Sequence, residues 1–210
     1  MHSIPENDKN LLLEYFKNNE DQQINTMGMQ KIPLIGSSLK IIELIQNIIS
    51  NIIGIKKYVL LGDNFFKHSI SYFPHCDANE PNAWLNILIP LEISSVGQKF
   101  IIFDQTWHGD ATTWIGNLNT KNDFLNNKKS NQRPIDSPLL QNGTDKEIDD
   151  LIYEKIDNRF LSKDYLFGLS GQVVDWIPGN IIIFNSRKIH MTGKMAAPYK
   201  IGLTVRIGTL

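Results

Sequence analysis

From Lys56 onward the chain is a succession of short runs rich in β-branched and aromatic residues, each bounded by Gly, Pro, Asn or Asp. Side chains of that kind fit a pleated, half-buried surface, so the runs read as strands, near 58–61, 69–73, 84–91, 99–103, 171–177, 180–184 and 200–207. No strand–helix–strand alternation separates them, which excludes a parallel α/β sheet. What remains is an all-β barrel or a double-sheet jelly roll. Upstream, Ile41, Ile42, Ile45, Ile48, Ile49 and Ile52 recur at the three-and-four spacing of one helical face. They predict a helix over 38–53, with Ser37 or Ser38 as its cap and Gly54 as its stop. Leu11, Leu12, Leu13, Tyr15 and Phe16 mark a shorter helix. Both are expected to pack their apolar faces on the outside of the barrel.

The whole chain, 1–210, fits one domain, because a core of this length buries about 70% of the surface that the unfolded chain exposes. We expect a helical N-terminal region over 1–55, a barrel core over 56–208 and a polar insertion over 117–150. The insertion is crowded with Asn, Lys, Asp, Ser and Pro. A connection of that length is either a lid over a site or a solvated surface loop.

Twenty-one basic and 22 acidic side chains leave a formal charge of −1, far from the basic balance of a typical nucleic-acid binder. Cys76 is the single cysteine, which rules out an internal disulfide framework and the common thiolate zinc sites. No basic start with an apolar run opens the chain, and no segment offers about 18 unbroken apolar residues. A cytoplasmic protein that handles a small molecule, without nucleic acid or membrane, is the expectation.

The chemistry-bearing residues are few. In Pro74-His75-Cys76-Asp77, extended chain puts His75 and Asp77 on one face with Cα atoms roughly 6.6 Å apart, and Cys76 on the other. An imidazole nitrogen and a carboxylate oxygen so placed are able to converge on one metal ion. His190 supplies a third ligand, after a strand, the Pro178-Gly179-Asn180 turn and a second strand. Two histidines and one carboxylate form a facial triad that leaves three positions open on iron(II). Trp107-His108-Gly109-Asp110 is a rival His-x-Asp. We prefer the first pair, because a strand leads into it and two follow, and leave His108 and Asp110 to border the substrate. Trp107 and Trp114 read as core.

The last strand has its own logic. Lys200, Gly202, Thr204 and Arg206 alternate with Ile201, Leu203, Val205 and Ile207, so the basic pair shares one face while the aliphatic set packs on the other. A cation turned into a barrel needs a carboxylate, from the protein or from a ligand. The two Cα atoms stand ~20 Å apart along the strand, so the pair cannot grip one carboxylate. Asn86 shares a face with Trp84 and Leu88; it either hydrogen-bonds a ligand or faces solvent.

These residues together resemble the iron(II)- and 2-oxoglutarate-dependent dioxygenases of the double-stranded β-helix fold, over about 66–208. The resemblance rests on His75-x-Asp77, the strand pair that follows, the Pro178-Gly179-Asn180 turn, His190 and the closing 200–206 strand. It implies a mainly β, cupin-like jelly roll using Fe(II), 2-oxoglutarate and O2. It further implies His75, Asp77 and His190 as metal ligands, and a basic residue about ten or fifteen positions after the distal histidine on the remote carboxylate of 2-oxoglutarate. Lys200 stands ten after His190 and is the first choice. Arg206 stands sixteen after and would hold the other end of the cosubstrate or a substrate acid, and Asn86 is a further candidate contact. Asp77 argues against the halogenase variant, where a small residue vacates that position. The implied activity is hydroxylation of a small metabolite, such as a free or carrier-bound amino acid. Two other readings stay open: a metal cupin isomerase or dioxygenase that does not use 2-oxoglutarate, and a non-enzymatic β-sandwich binding module.

Overall fold

A computed structural model of the chain describes residues 2–19, 24–26, 29–34, 36–115, 129–130, 133–159 and 161–210. Two curled sheets face each other. The first contains β1 (His2–Ser3), β2 (Ile24–Thr26), β3 (Met29–Pro33), β4 (Val59–His68), β6 (Ala83–Ile93), β12 (Asn180–Asn185) and β14 (Lys200–Gly208), in the order β1-β12-β6-β14-β4-β3-β2. The second runs β10 (Leu140–Gln141), β7 (Lys99–Trp107), β13 (Lys188–Thr192), β5 (His75–Cys76), β8 (Thr112–Trp114) and β9 (Lys129–Ser130), with β11 (Gly171–Asp175) also paired to β7. This is the jelly roll that the strand pattern calls for.

Strand alternation sorts the core into three layers. Between the sheets lie Phe66, Leu88, Phe100, Ile102, Trp176, Ile182 and Phe184. On the outer face of the first sheet, Ile201, Leu203, Val205 and Ile207 pack with Leu12 and Phe16 of α1 (Glu6–Asn18) and Ile41 and Ile45 of α2 (Leu39–Asn47). Beyond the second sheet, Ile101, Phe103, Ile189 and Met191 meet Ile152 of α3 (Asp150–Tyr153) and the segment that follows it. Each aliphatic side chain fully buried this way contributes about 1.5–3 kcal/mol.

The helix expected over 38–53 is α-helical only as far as Asn47; Ile48–Ile53 forms a π-helical turn, and Gly54 ends it at φ +87°. The wider turn leaves the neighbours Ile48 and Ile49 both 1% exposed. The N-terminal region, residues 1–55, holds strands as well as helices: β1 pairs with β12, and β3 extends the first sheet beyond β4. Residues 69–73 form no strand. β4 runs on to His68, and the chain then crosses from one sheet to the other. β13, absent from the strands expected from the sequence, is a strand in its own right. Of the 117–150 insertion, 117–128, 131 and 132 lie outside the described residues, and the lid reading with them. Its described portion carries a 3-10 turn at Pro134–Asp136 and then β10 on the edge of β7. Among the described residues no helix is long and apolar enough to cross a membrane.

Candidate metal centre and its cavity

β5 is only two residues long, yet its register fixes the site. His75 stands directly across from His190 of β13, so both rings leave the same face and come to 4.1 Å between centroids. A register shift between Lys188 and His190, where β13 runs along β7, sits immediately before the histidine. Such a bulge re-aims the side chain that follows it. Asp77, two residues beyond His75, turns to the same side. Its Oδ1 lies 3.7 Å from His75 Nε2 and its Oδ2 3.1 Å from His190 Nε2. The nearest ligand atoms of all three residues fall within 4.8 Å of one another. Ligands at ~2.1 Å from a common ion and at right angles stand ~3.0 Å apart, so the side chains need little adjustment to close on one.

Hydrogen bonding sets the tautomers. His75 Nδ1 is 2.8 Å from the Phe73 carbonyl and His190 Nδ1 is 3.0 Å from the Lys188 carbonyl. Carbonyls only accept, so each Nδ1 carries a hydrogen, and a ring in its neutral form offers an Nε2 lone pair. Burial, reinforced by His190, lowers the His75 pKa to about 3. Burial opposes ionisation of Asp77, but His75, His190 and the Arg206 guanidinium outweigh it and hold the carboxyl below its usual range. The result is two lone pairs and an anion aimed at one point, a donor set that fits a divalent cation.

The triad opens into a cavity of about 190 Å3 whose far wall carries Lys200. Lys200 is 1% exposed. Its Nζ donates to Thr192 Oγ1 at 2.8 Å and lies 4.0 Å from the centre of the Trp176 ring. No ion pair with a carboxylate is found for it among the described residues, and burial brings its pKa down to about 7. Gly202 makes room for this arrangement: a Cβ there would stand 2.8 Å from Phe66 and 2.9 Å from Trp176.

The remaining expected residues are placed as follows. Arg206 does turn inward, but its Nη1 donates to the Asp77 carbonyl at 2.6 Å and to Glu80 Oε2 at 3.1 Å. It holds the loop that carries Asp77, and is not among the residues lining the cavity. Asn86 is fully buried, and neither its amide nitrogen nor its oxygen has a hydrogen-bond partner among the described residues. It too is outside the cavity lining. Cys76 packs in the outer core, and burial raises its thiol to about 11. His108 and Asp110 are not among the residues that converge on the triad, and His108 is exposed. Trp107 and Trp114 are buried edge to face at 4.9 Å. Sequence reasoning missed Tyr72, whose ring stands edge-on to His75 at 4.7 Å, and Thr192, the partner of Lys200. Thr192 was legible in principle, since it lies two residues past His190 on the same strand face.

No protein-family model matches the chain, nor does any curated protein. Solved structures do. The chain is similar to the non-haem α-ketoglutarate-dependent carbocyclase SnoK of nogalamycin biosynthesis, at TM-score 0.56 and 10% identity over 98% of this chain and 77% of that one. It is similar to the epimerase SnoN in complex with Fe3+, α-ketoglutarate and nogalamycin RO, at 0.54 and 10% over 100% and 78%. It is also similar to HygX of Streptomyces hygroscopicus with nickel, 2-oxoglutarate and hygromycin B bound, at 0.50 and 8% over 99% and 80%. What is shared at these identities is the fold. The chain has the double-stranded β-helix of the 2-oxoglutarate-dependent non-haem enzymes, and a His-Asp-His triad stands within it.

Proposed function

We propose that this chain is an iron(II)- and 2-oxoglutarate-dependent oxygenase that hydroxylates a small metabolite, an amino acid, free or carrier-bound, being the leading class. The observation that carries the reading is a buried ammonium, Lys200, in the same cavity as the triad and without a carboxylate partner among the described residues. A buried cation of that kind calls for an anion. His75, Asp77 and His190 would hold the iron, leaving open positions for a 2-oxo acid and dioxygen. When bound, iron and 2-oxoglutarate supply the oxidising power to attack an unactivated C–H bond.

The chain's own residues bind and orient. Lys200 donates one charge-assisted hydrogen bond to the remote carboxylate, and the Thr192 hydroxyl stands beside it. Phe100 and Trp176 flank the ammonium and keep water from it, which strengthens the pairing. Arg206 steadies the Asp77 backbone from behind. Asp77 fills the third ligand position, which favours oxygen insertion over halogenation. Small-molecule substrates are in keeping with the nogalamycin RO and hygromycin B named in the SnoN and HygX complexes.

The reading is tested by incubating the protein with iron(II), ascorbate, 2-oxoglutarate and a metabolite pool. We expect succinate, together with one compound heavier by about 16 mass units, the oxygen inserted at the metal. Consumption of no 2-oxoglutarate by a protein that has bound iron would end the proposal in favour of a cupin that does not use it.

A further inference from the structure

We propose that Lys31 binds a carboxylate of the substrate, so that the substrate is a small carboxylic acid. The inference rests on the functional reading above and names the substrate class of that same site.

Lys31 sits on β3, outside the 66–208 segment that carries the sequence resemblance. In the sheet it stands opposite Phe66 of β4, which stands opposite Gly202 of β14. With neighbouring strands ~4.8 Å apart, Lys31 is placed ~10 Å across the sheet from β14. Met29, Lys31, Phe66, His68 and Lys200 all line the cavity into which the triad opens. One wall therefore presents two cations, Lys200 on the central strand and Lys31 nearer the sheet edge, with the apolar surface of Met29 and Phe66 beside them.

The charges separate their tasks. Iron(II), the Asp77 carboxylate, Lys200 and a doubly charged 2-oxoglutarate balance to zero. Lys31 is left over as one positive charge, and no hydrogen bond or ion pair satisfies it among the described residues. Burial, Lys200 and Lys31 together hold the His68 imidazole well below its usual pKa. His68, between Lys31 and Lys200 on the wall, has a buried Nδ1 with no hydrogen-bond partner among the described residues. An uncompensated ammonium beside an unused imidazole nitrogen and an apolar floor matches an acid with an aliphatic or aromatic body. A neutral sugar or amide would leave the charge unanswered.

The test uses protein loaded with nickel(II) and saturating 2-oxoglutarate, so that the metal and Lys200 are both occupied, and titrates it with hexanoate and with hexanamide by calorimetry. Hexanoate is expected to bind about tenfold or more tighter than hexanamide, as a charge-assisted hydrogen bond requires. Lys31→Met should abolish that preference and Lys31→Arg retain most of it, while both leave 2-oxoglutarate affinity within about twofold. The inference is overturned if the wild-type protein does not prefer the acid, or if the preference survives in Lys31→Met. It is overturned equally if Lys31→Met weakens 2-oxoglutarate itself about tenfold, which would put Lys31 on the cosubstrate. Failure of the nickel-loaded wild-type protein to take up 2-oxoglutarate at all is a different result: it removes the functional reading on which the inference stands.

Discussion

His190 Nε2 and Asp77 Oδ2 stand 3.1 Å apart and His75 Nε2 is 3.7 Å from Asp77 Oδ1, so one ion placed among them would draw on all three side chains. His75→Ala, Asp77→Ala and His190→Ala should therefore each lose iron in an equilibrium dialysis, while His108→Ala and Asp110→Ala retain it. Arg206→Ala removes the donor to the Asp77 carbonyl and takes from Glu80 its ion-pair partner. Metal affinity should fall about 10- to 100-fold, with a smaller effect on 2-oxoglutarate binding by whatever protein is loaded. Lys200 adds a pH signature. Its pKa near 7 in the free protein must rise when a carboxylate arrives, so above pH 7 binding takes up a proton. With iron already on the histidines, 2-oxoglutarate affinity should weaken by up to about tenfold per pH unit above 7. Lys200→Arg, which stays charged, should bind more weakly at pH 7 but show no such slope.

At the level of elements, β14 is the clearest case of sequence dictating placement, because its two faces serve different layers. Leu203→Ala empties a fully buried position against the outer helices and should cost about 2–5 kcal/mol in denaturant unfolding, leaving 2-oxoglutarate affinity unchanged. Gly202→Ala, one residue away, pushes into the Phe66 and Trp176 rings; it should cost about 1–3 kcal/mol and also weaken 2-oxoglutarate, because Trp176 covers Lys200. The inward turn of Lys200 and Arg206 was legible, since strict alternation leaves no choice once one face is aliphatic. Their separate tasks were not. Whether an inward cation meets a ligand or the backbone of a neighbouring loop depends on where that loop crosses, and local pattern does not encode it. The same limit hid β13 and β3. Both are five-residue strands whose assignment comes from partners distant in sequence, β7 and β4, rather than from their own composition. His75 and Asp77 were readable because a two-residue step in extended chain is a local fact; that His75 faces His190 is a matter of long-range register.

For the whole molecule, Asp77 lies just after β5 and 113 residues before His190, while His190, Thr192 and Lys200 come from the successive strands β13 and β14 in different sheets, so a bound cosubstrate would tie both sheets together. Ligand that binds only the folded state at a hundredfold excess over its dissociation constant adds about 2.7 kcal/mol, worth roughly 5–10 °C in melting temperature for a chain of this size. Iron and 2-oxoglutarate together should raise the melting temperature more than iron alone, and Lys200→Ala should keep only the iron increment. In the proposed site one cavity joins a metal triad to a carboxylate anchor. Anaerobic calorimetric titration of 2-oxoglutarate into iron(II)-loaded protein measures it directly. We expect one-to-one binding that requires iron and weakens about 30-fold or more in Lys200→Ala while the iron stays bound. Binding of equal strength in Lys200→Ala, or no binding to protein that holds its iron, would contradict it.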